Sequence, residues 1–278
     1  MNTNDKQTPA AARRVVAPLS ALLLGGLLAP AAYSANTTTS LKLMCIESLM
    51  QVEVYSASRQ LETTQSSASA SYVVTGAAIA RMGVTNVPDA LRIVPGVQVG
   101  RVDANKWAVS MRGFNSRDAN RLLVLVDGRS IYDPLFSGTL WEAHDFVMSD
   151  LDRIEVIRGP GGTLWGANAF NGVINIVTRP ASETQGLRLQ ASTGTDDPWI
   201  ASARLGFETG DGQHARVYLK GYDRDAGYAT PDPAHDESRG RRGGFRWDAD
   251  RGGPDTFTVS GDVYETNAGV RETTQQVQ

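Results

Sequence analysis

Arg158–Ile176 reads RGPGGTLWGANAFNGVINI and comes directly after a strand-like run, Ile154-Glu155-Val156-Ile157. A strand running into a glycine-rich turn is how many phosphate cradles begin, with backbone N–H groups facing the anion. The spacing argues against that chemistry here. A Walker-type loop needs a lysine and then Ser or Thr after its last glycine, yet Gly166 is succeeded by Ala167 and Asn168. A dinucleotide fingerprint needs a third glycine where Leu164 stands, and a helix after it. The run Val173-Ile174-Asn175-Ile176-Val177 is instead rich in β-branched residues and strand-like. The stretch reads as a strand, an extended glycine-rich crossing and a second strand.

Other chemistries find little support. The three histidines stand apart at 144, 214 and 235, with no metal-ligand spacing, and the single cysteine, Cys45, rules out an internal disulfide. Cys45 reads most simply as a small buried hydrophobe. No G-x-S-x-G or comparable frame assembles a nucleophile and base, so no catalytic residue, metal site or cofactor is expected and the chain does not read as an enzyme. With 27 basic and 30 acidic residues, the formal charge of −3 leaves no basic footprint for nucleic acid. Apolar residues at 41% and charged residues at 21% describe a folded protein.

The elements that must position these residues divide the 278-residue chain into four parts. Residues 1–34 carry a basic start (Lys6, Arg13, Arg14) and an apolar run ending in small residues, the pattern of a secretory signal peptide cleaved near 31–35. Pro18, Gly25, Gly26 and Pro30 interrupt that run and argue against an uncleaved anchor. Residues 35–71 contain a short amphipathic stretch at 41–50, a strand-like VEVYS and a polar linker. Residues 72–180 hold a strand (YVVTG), a short helix stopped by Gly83 and a second helix opened by Pro88. Five Val- and Ile-rich strand candidates come next, and Leu122–Val126, apolar on both faces, reads as a central strand. This makes a small α/β or α+β domain.

Residues 181–278 obey a different grammar. Leu187, Leu189 and Ala191 alternate with Arg188, Gln190 and Ser192, and four further strands repeat the scheme with Arg204, Arg216, Lys220, Arg246 and Asp248 among the polar partners. Two readings compete: a soluble antiparallel sheet with one wet face, or a membrane β-barrel with its apolar face toward lipid. The connections, short except for 226–242, favour the barrel.

Three strings carry a specific resemblance: VPDALRIVPGVQV, SMRGFNSRDANRLLVLVDGRSIYDP and DLDRIEVIRGPGGTLWGANAFNGVINIVTR. Over roughly Val52–Pro180 the chain resembles the TonB-dependent receptors of the Gram-negative outer membrane. The resemblance implies an α+β plug domain, a small mixed sheet with short helices, followed by the antiparallel strands of a 22-stranded transmembrane β-barrel. It implies energy-coupled uptake of a scarce small-molecule ligand, most often a ferric siderophore and sometimes cobalamin. The implied partners are outer-membrane lipid and the TonB energy transducer with its inner-membrane motor proteins. A soluble periplasmic plug-like binding module is the competing function.

The resemblance also assigns residues. Glu53, Val54, Tyr55, Ser56 and Ala57 are the candidate TonB box, which would engage the transducer by strand addition; an ordinary first plug strand is the equal alternative. Arg112 and Arg158 match plug arginines that pair with barrel glutamates as a latch. Asn115, Arg117 and Asp118, after the RGF motif, and Tyr132, Phe136 and Trp141, after VDG, are the candidate ligand contacts, with internal packing a strong rival for Phe136 and Trp141. The 98 residues after Pro180 suffice for about five membrane strands of ~9–11 residues, so the barrel is expected to be incomplete and unstable by itself.

Overall fold

The computed structural model describes residues 53–54, 62–63, 70–117, 121–227, 235–250 and 256–269. The expected signal peptide, the amphipathic stretch with Cys45, Asp118 and Tyr55–Ala57 lie outside the described residues. β1 (Glu53–Val54) and β2 (Glu62–Thr63) form a short antiparallel pair.

The plug is built on a five-stranded mixed sheet in the order β3-β8-β9-β6-β7, made of β3 (Ala70–Thr75), β6 (Leu122–Val126), β7 (Arg129–Ser130), β8 (Leu151–Arg158) and β9 (Gly172–Thr178). β6 and β9 run parallel, and the other pairings are antiparallel. β4 (Val97–Arg101) and β5 (Trp107–Met111) form a separate hairpin.

Period-two alternation puts the residues of β6 into two cores, as its apolar sequence predicts. Leu122 and Val124 join Ile154, Val156, Ile174, Ile176, Trp107 and Trp141 on one face, while Leu123 and Leu125 join Ile157, Ala169 and Val173 on the other. Helix α1 (Gly76–Met82) starts where the Thr75 hydroxyl accepts from the Ala78 N–H at 3.2 Å, and it stops at Gly83 in the left-handed region. Helix α2 (Val87–Ala90) is capped by Asn86, whose side chain accepts from the Asp89 N–H at 2.9 Å, with Pro88 in the first turn.

The glycine-rich crossing departs from expectation in one detail. Between β8 and β9 it contains a single helical turn, α3 (Gly162–Trp165), where an extended path was expected. The reason is visible in the ladder. Gly159 donates to the Asn171 carbonyl and Gly161 to the Ala169 carbonyl, so the β8–β9 pairing continues past the strand ends and leaves only a tight tip to be closed. Gly159, at φ 131°, provides a backbone conformation that side-chain-bearing residues rarely adopt.

After Pro180 the chain forms a five-stranded antiparallel meander, β10 (Gly186–Ser192), β11 (Trp199–Gly210), β12 (Gln213–Arg224), β13 (Ser238–Asp250) and β14 (Thr256–Ala268), in sequence order. β13 starts at Ser238, which makes the preceding connection shorter than its sequence indicated. Its first residues, SRGRR, place Arg239 and Arg241 on the otherwise apolar face and so obscure the alternation.

Candidate functional site: the plug–wall interface

The meander turns its charges inward. Arg204, Arg216, Lys220, Arg224, Arg242 and Asp248 are all buried, whereas Leu187, Leu189, Trp199, Leu205, Phe207, Val217, Leu219, Phe245, Phe257, Val259 and Val263 are exposed. The register explains why these sets separate cleanly. Leu187 faces Leu205, Leu205 faces Val217 and Val217 faces Phe245, so cross-strand partners share a face throughout. From Trp199 to Phe207 the outer face of β11 is uncharged over about 26 Å at ~3.3 Å per residue. A soluble sheet would bury that face and wet the other, and the observed polarity is the reverse. It is the polarity of a strand set with lipid outside and a polar filling inside.

The buried charges meet the plug through specific pairs. Arg204 Nη1 lies 2.6 Å from Asp150 Oδ1. Lys220 Nζ lies 2.9 Å from Asp145 Oδ1 and donates to the Phe146 carbonyl at 2.7 Å. Arg224 also approaches Asp145 at 3.5 Å, reaches Asp197 at 3.3 Å, and stacks over Tyr222. Arg246 reaches Asp127 at 3.3 Å and the Thr178 hydroxyl at 2.7 Å, while Asp248 accepts from the Ala181 N–H at 2.6 Å. Arg216 donates to the Arg179 carbonyl at 2.6 Å, and Arg242 donates to the Ala143 carbonyl. Among the described residues, none of the meander enters either apolar core cluster of the plug. Plug and meander are therefore joined by ion pairs and hydrogen bonds.

One end of the interface is closed by Asp236, in the connection between β12 and β13. Its carboxylate accepts from the Ala104 and Gly227 N–H groups, each at 2.7 Å, and its carbonyl accepts from the Asn105 amide at 3.3 Å. Burial pushes this carboxyl up, but the two N–H donors outweigh that effect and hold it below the ordinary carboxylate range. The contribution of Asp236 to stability is thus present at neutral pH and lost as the pH falls through its lowered pKa. His144 behaves differently. Burial, followed by the nearby Arg242 guanidinium, lowers its pKa from 6.5 to about 4, so it is neutral at physiological pH.

The structure distributes the residues singled out from the sequence. Asn115 is exposed, and Arg117 is drawn to Glu142 at 2.9 Å, which ties the loop after β5 to the turn at Trp141–Ala143. Tyr132 is half-buried and Phe136 is exposed beside Leu135, on a tight loop closed by the Asp133–Gly138 bridge. Trp141, at 4% exposure, belongs to the plug core and has no ligand-facing surface. Arg158 donates to the Pro95 carbonyl at 3.2 Å and the Ala70 carbonyl at 3.4 Å, both within the plug. Arg112 is exposed beside Gly159. Among the described residues neither arginine forms an ion pair.

Sequence reading missed Asp127, Asp145, Asp150 and Asp236. A signal for three of them exists: the alternating strands carry an excess of cations on one face, and buried cations need nearby carboxylates. Asp145 and Asp150 lie in EAHDFVMSDLD, and Asp127 comes directly after the central strand LLVLV.

Residues 63–173 match the family model of the TonB-dependent receptor plug domain. Residues 63–173 are thus a plug domain of the TonB-dependent receptor type. A vitamin B12 transporter, BtuB, of Vibrio cholerae serotype O1 (El Tor Inaba N16961) is 33% identical over 181 residues, covering 63% of this chain and 28% of that protein. The BtuB of Vibrio vulnificus CMCP6 is 36% identical over 110 residues, covering 39% of this chain and 17% of that protein. Among solved structures, the ferripyoverdine receptor of the Pseudomonas aeruginosa outer membrane superposes with a TM-score of 0.61 at 20% identity, covering 79% of this chain and 28% of the receptor. The ferric yersiniabactin uptake receptor FyuA of Yersinia pestis gives 0.56 at 24%, covering 71% and 32%. The chain thus spans about a quarter of the length of the relatives it matches most widely, and the structural likeness establishes the fold.

Proposed function

We propose that this chain forms the plug and adjoining wall of an outer-membrane receptor that takes up a scarce metal chelate by energy-coupled transport. One observation carries the reading: a plug-like domain packs on the charged face of a sheet whose other face is apolar. A soluble periplasmic binding module has no use for that outer face, which would promote aggregation in water. For cargo, the sequence relatives at 33–36% identity favour a cobalamin-class ligand over the ferric siderophore that the family resemblance alone implied. The exposed Asn115 and Phe136 remain the proposed plug contacts, joined by Tyr132 and by Arg117 beside Glu142.

In this reading Glu53–Ala57 supplies a strand to the TonB transducer. The first two of these residues pair with Glu62–Thr63 in a two-stranded ladder, whose other edge has no partner among the described residues. The test is equilibrium binding of cyanocobalamin and of a ferric siderophore to outer membranes containing the full chain. Saturable cyanocobalamin binding supports the reading, and preference for the ferric siderophore returns the cargo to that class. Recovery of the chain in the soluble periplasmic fraction, with no membrane-bound portion, would favour the binding module.

A further inference from the structure

Between the plug and strands β12–β14 lies a cavity of about 590 Å³, distinct from the loops named as ligand contacts. Four arginines line it: Arg129 on the plug, and Arg216, Arg242 and Arg246 on the wall. The carboxylates around it are already engaged. Asp262 pairs with Arg242 at 2.8 Å, Asp127 with Arg246 at 3.3 Å, and Asp150 with Arg204 at 2.6 Å. Arg216 is left over. It is only 5% exposed, its Nε has no hydrogen-bond partner, and among the described residues it forms no ion pair. The Nε of Arg242, also buried, has none either.

Arg216 donates to one carbonyl and feels Asp150, Asp127 and Asp248 only from beyond ion-pair distance, so its buried guanidinium is expensive to desolvate and attracts a closer counter-charge. A neutral His144 on the cavity wall adds no competing positive charge, and it can donate or accept a hydrogen bond. The geometry points to this cavity as a binding site for a small multivalent oxyanion of the phosphate class, held by Arg216 with Arg242 and Arg129. Planar guanidinium groups match two oxygens of such an anion at once. Because Arg129 belongs to the plug and Arg216 to the wall, the bound anion is a reversible cross-link between the two. The arginines that line it sit on the inner face of the wall and on the plug, so its anion comes from the aqueous phase and not from a lipid headgroup. The assignment does not depend on the identity of the cargo.

The test uses inorganic phosphate as the probe, titrated at low ionic strength into the full chain in detergent micelles and monitored by calorimetry. The expected result is saturable binding of one phosphate, weakened at least about tenfold by Arg216→Met and unchanged by Arg188→Met on β10, outside the cavity lining. Should Arg216→Met disturb folding, the exposed Arg129 supplies a second variant: Arg129→Gln should weaken binding about threefold or more. Absence of saturable binding, or undiminished binding in Arg129→Gln or in a folded Arg216→Met chain, would overturn the assignment.

Discussion

Asp145 accepts two cations at once, Lys220 at 2.9 Å and Arg224 at 3.5 Å, and all three side chains are buried. Pairs of this kind roughly break even against apolar replacements, but removing one partner strands the other in a low-dielectric site. Asp145→Asn keeps the shape and removes the charge, leaving Lys220 with carbonyl contacts alone and Arg224 with Asp197. The expected loss is about 3 kcal/mol, seen as a lower urea midpoint for the chain in detergent; a midpoint equal to that of the parent would show that the pair does not hold the plug. At this scale the sequence was only half legible. Alternation identifies Arg204, Arg216, Lys220, Arg246 and Asp248 as polar positions on one face of the meander. The aspartates that receive the cations sit in irregular segments such as EAHDFVMSD, where no period marks a direction. The same limit explains Trp141, whose aromatic character fits a ligand contact and a core position equally well, and which the fold places in the core.

The elements were more legible, because each obeys one local rule. The Thr75 and Gly83 caps frame α1, and the uninterrupted apolar run of β6 matches its burial on two faces. Glycine decides how closely the strands of the plug approach. A Cβ at Gly172, the first residue of β9, would lie 2.5 Å from the Ile157 carbonyl oxygen and 2.8 Å from the Met111 sulfur. Gly172→Ala should therefore destabilise the plug by roughly 2 kcal/mol, measured by thermal unfolding. Gly162→Ala, on α3 with nothing within 4 Å of its Cβ, serves as the comparison and should be neutral or slightly stabilising. Equal effects at the two sites would contradict the packing described. The helical turn at Gly162–Trp165 escaped sequence reading because glycine is a poor helix former; what closes it is the ladder in which Gly159 pairs with Asn171 and Gly161 with Ala169.

At the scale of the whole molecule, the apolar core and the interface obey opposite rules. The plug buries its hydrophobic residues against one another, whereas the meander buries its charges against the plug and presents an apolar band outward. Separating plug from wall would break ion pairs and hydrogen bonds that water can replace, and it would leave both apolar core clusters of the plug intact. That suits a plug that must be held firmly and yet yield to a pull. The periodicity of the last five strands was clear in the sequence, but period-two alternation cannot say which face points inward. Only the position of the plug decides that question. Trp199 and Trp247 lie on the outward side, while Trp107 and Trp141 are buried in the plug core. The most direct measurement is therefore tryptophan quenching in vesicles of brominated phosphatidylcholine containing the full chain. The predicted result is strong quenching in the parent chain that is largely lost in the Trp199→Phe/Trp247→Phe double variant. Quenching that persists undiminished in the double variant would contradict an outward apolar face, and with it the receptor reading.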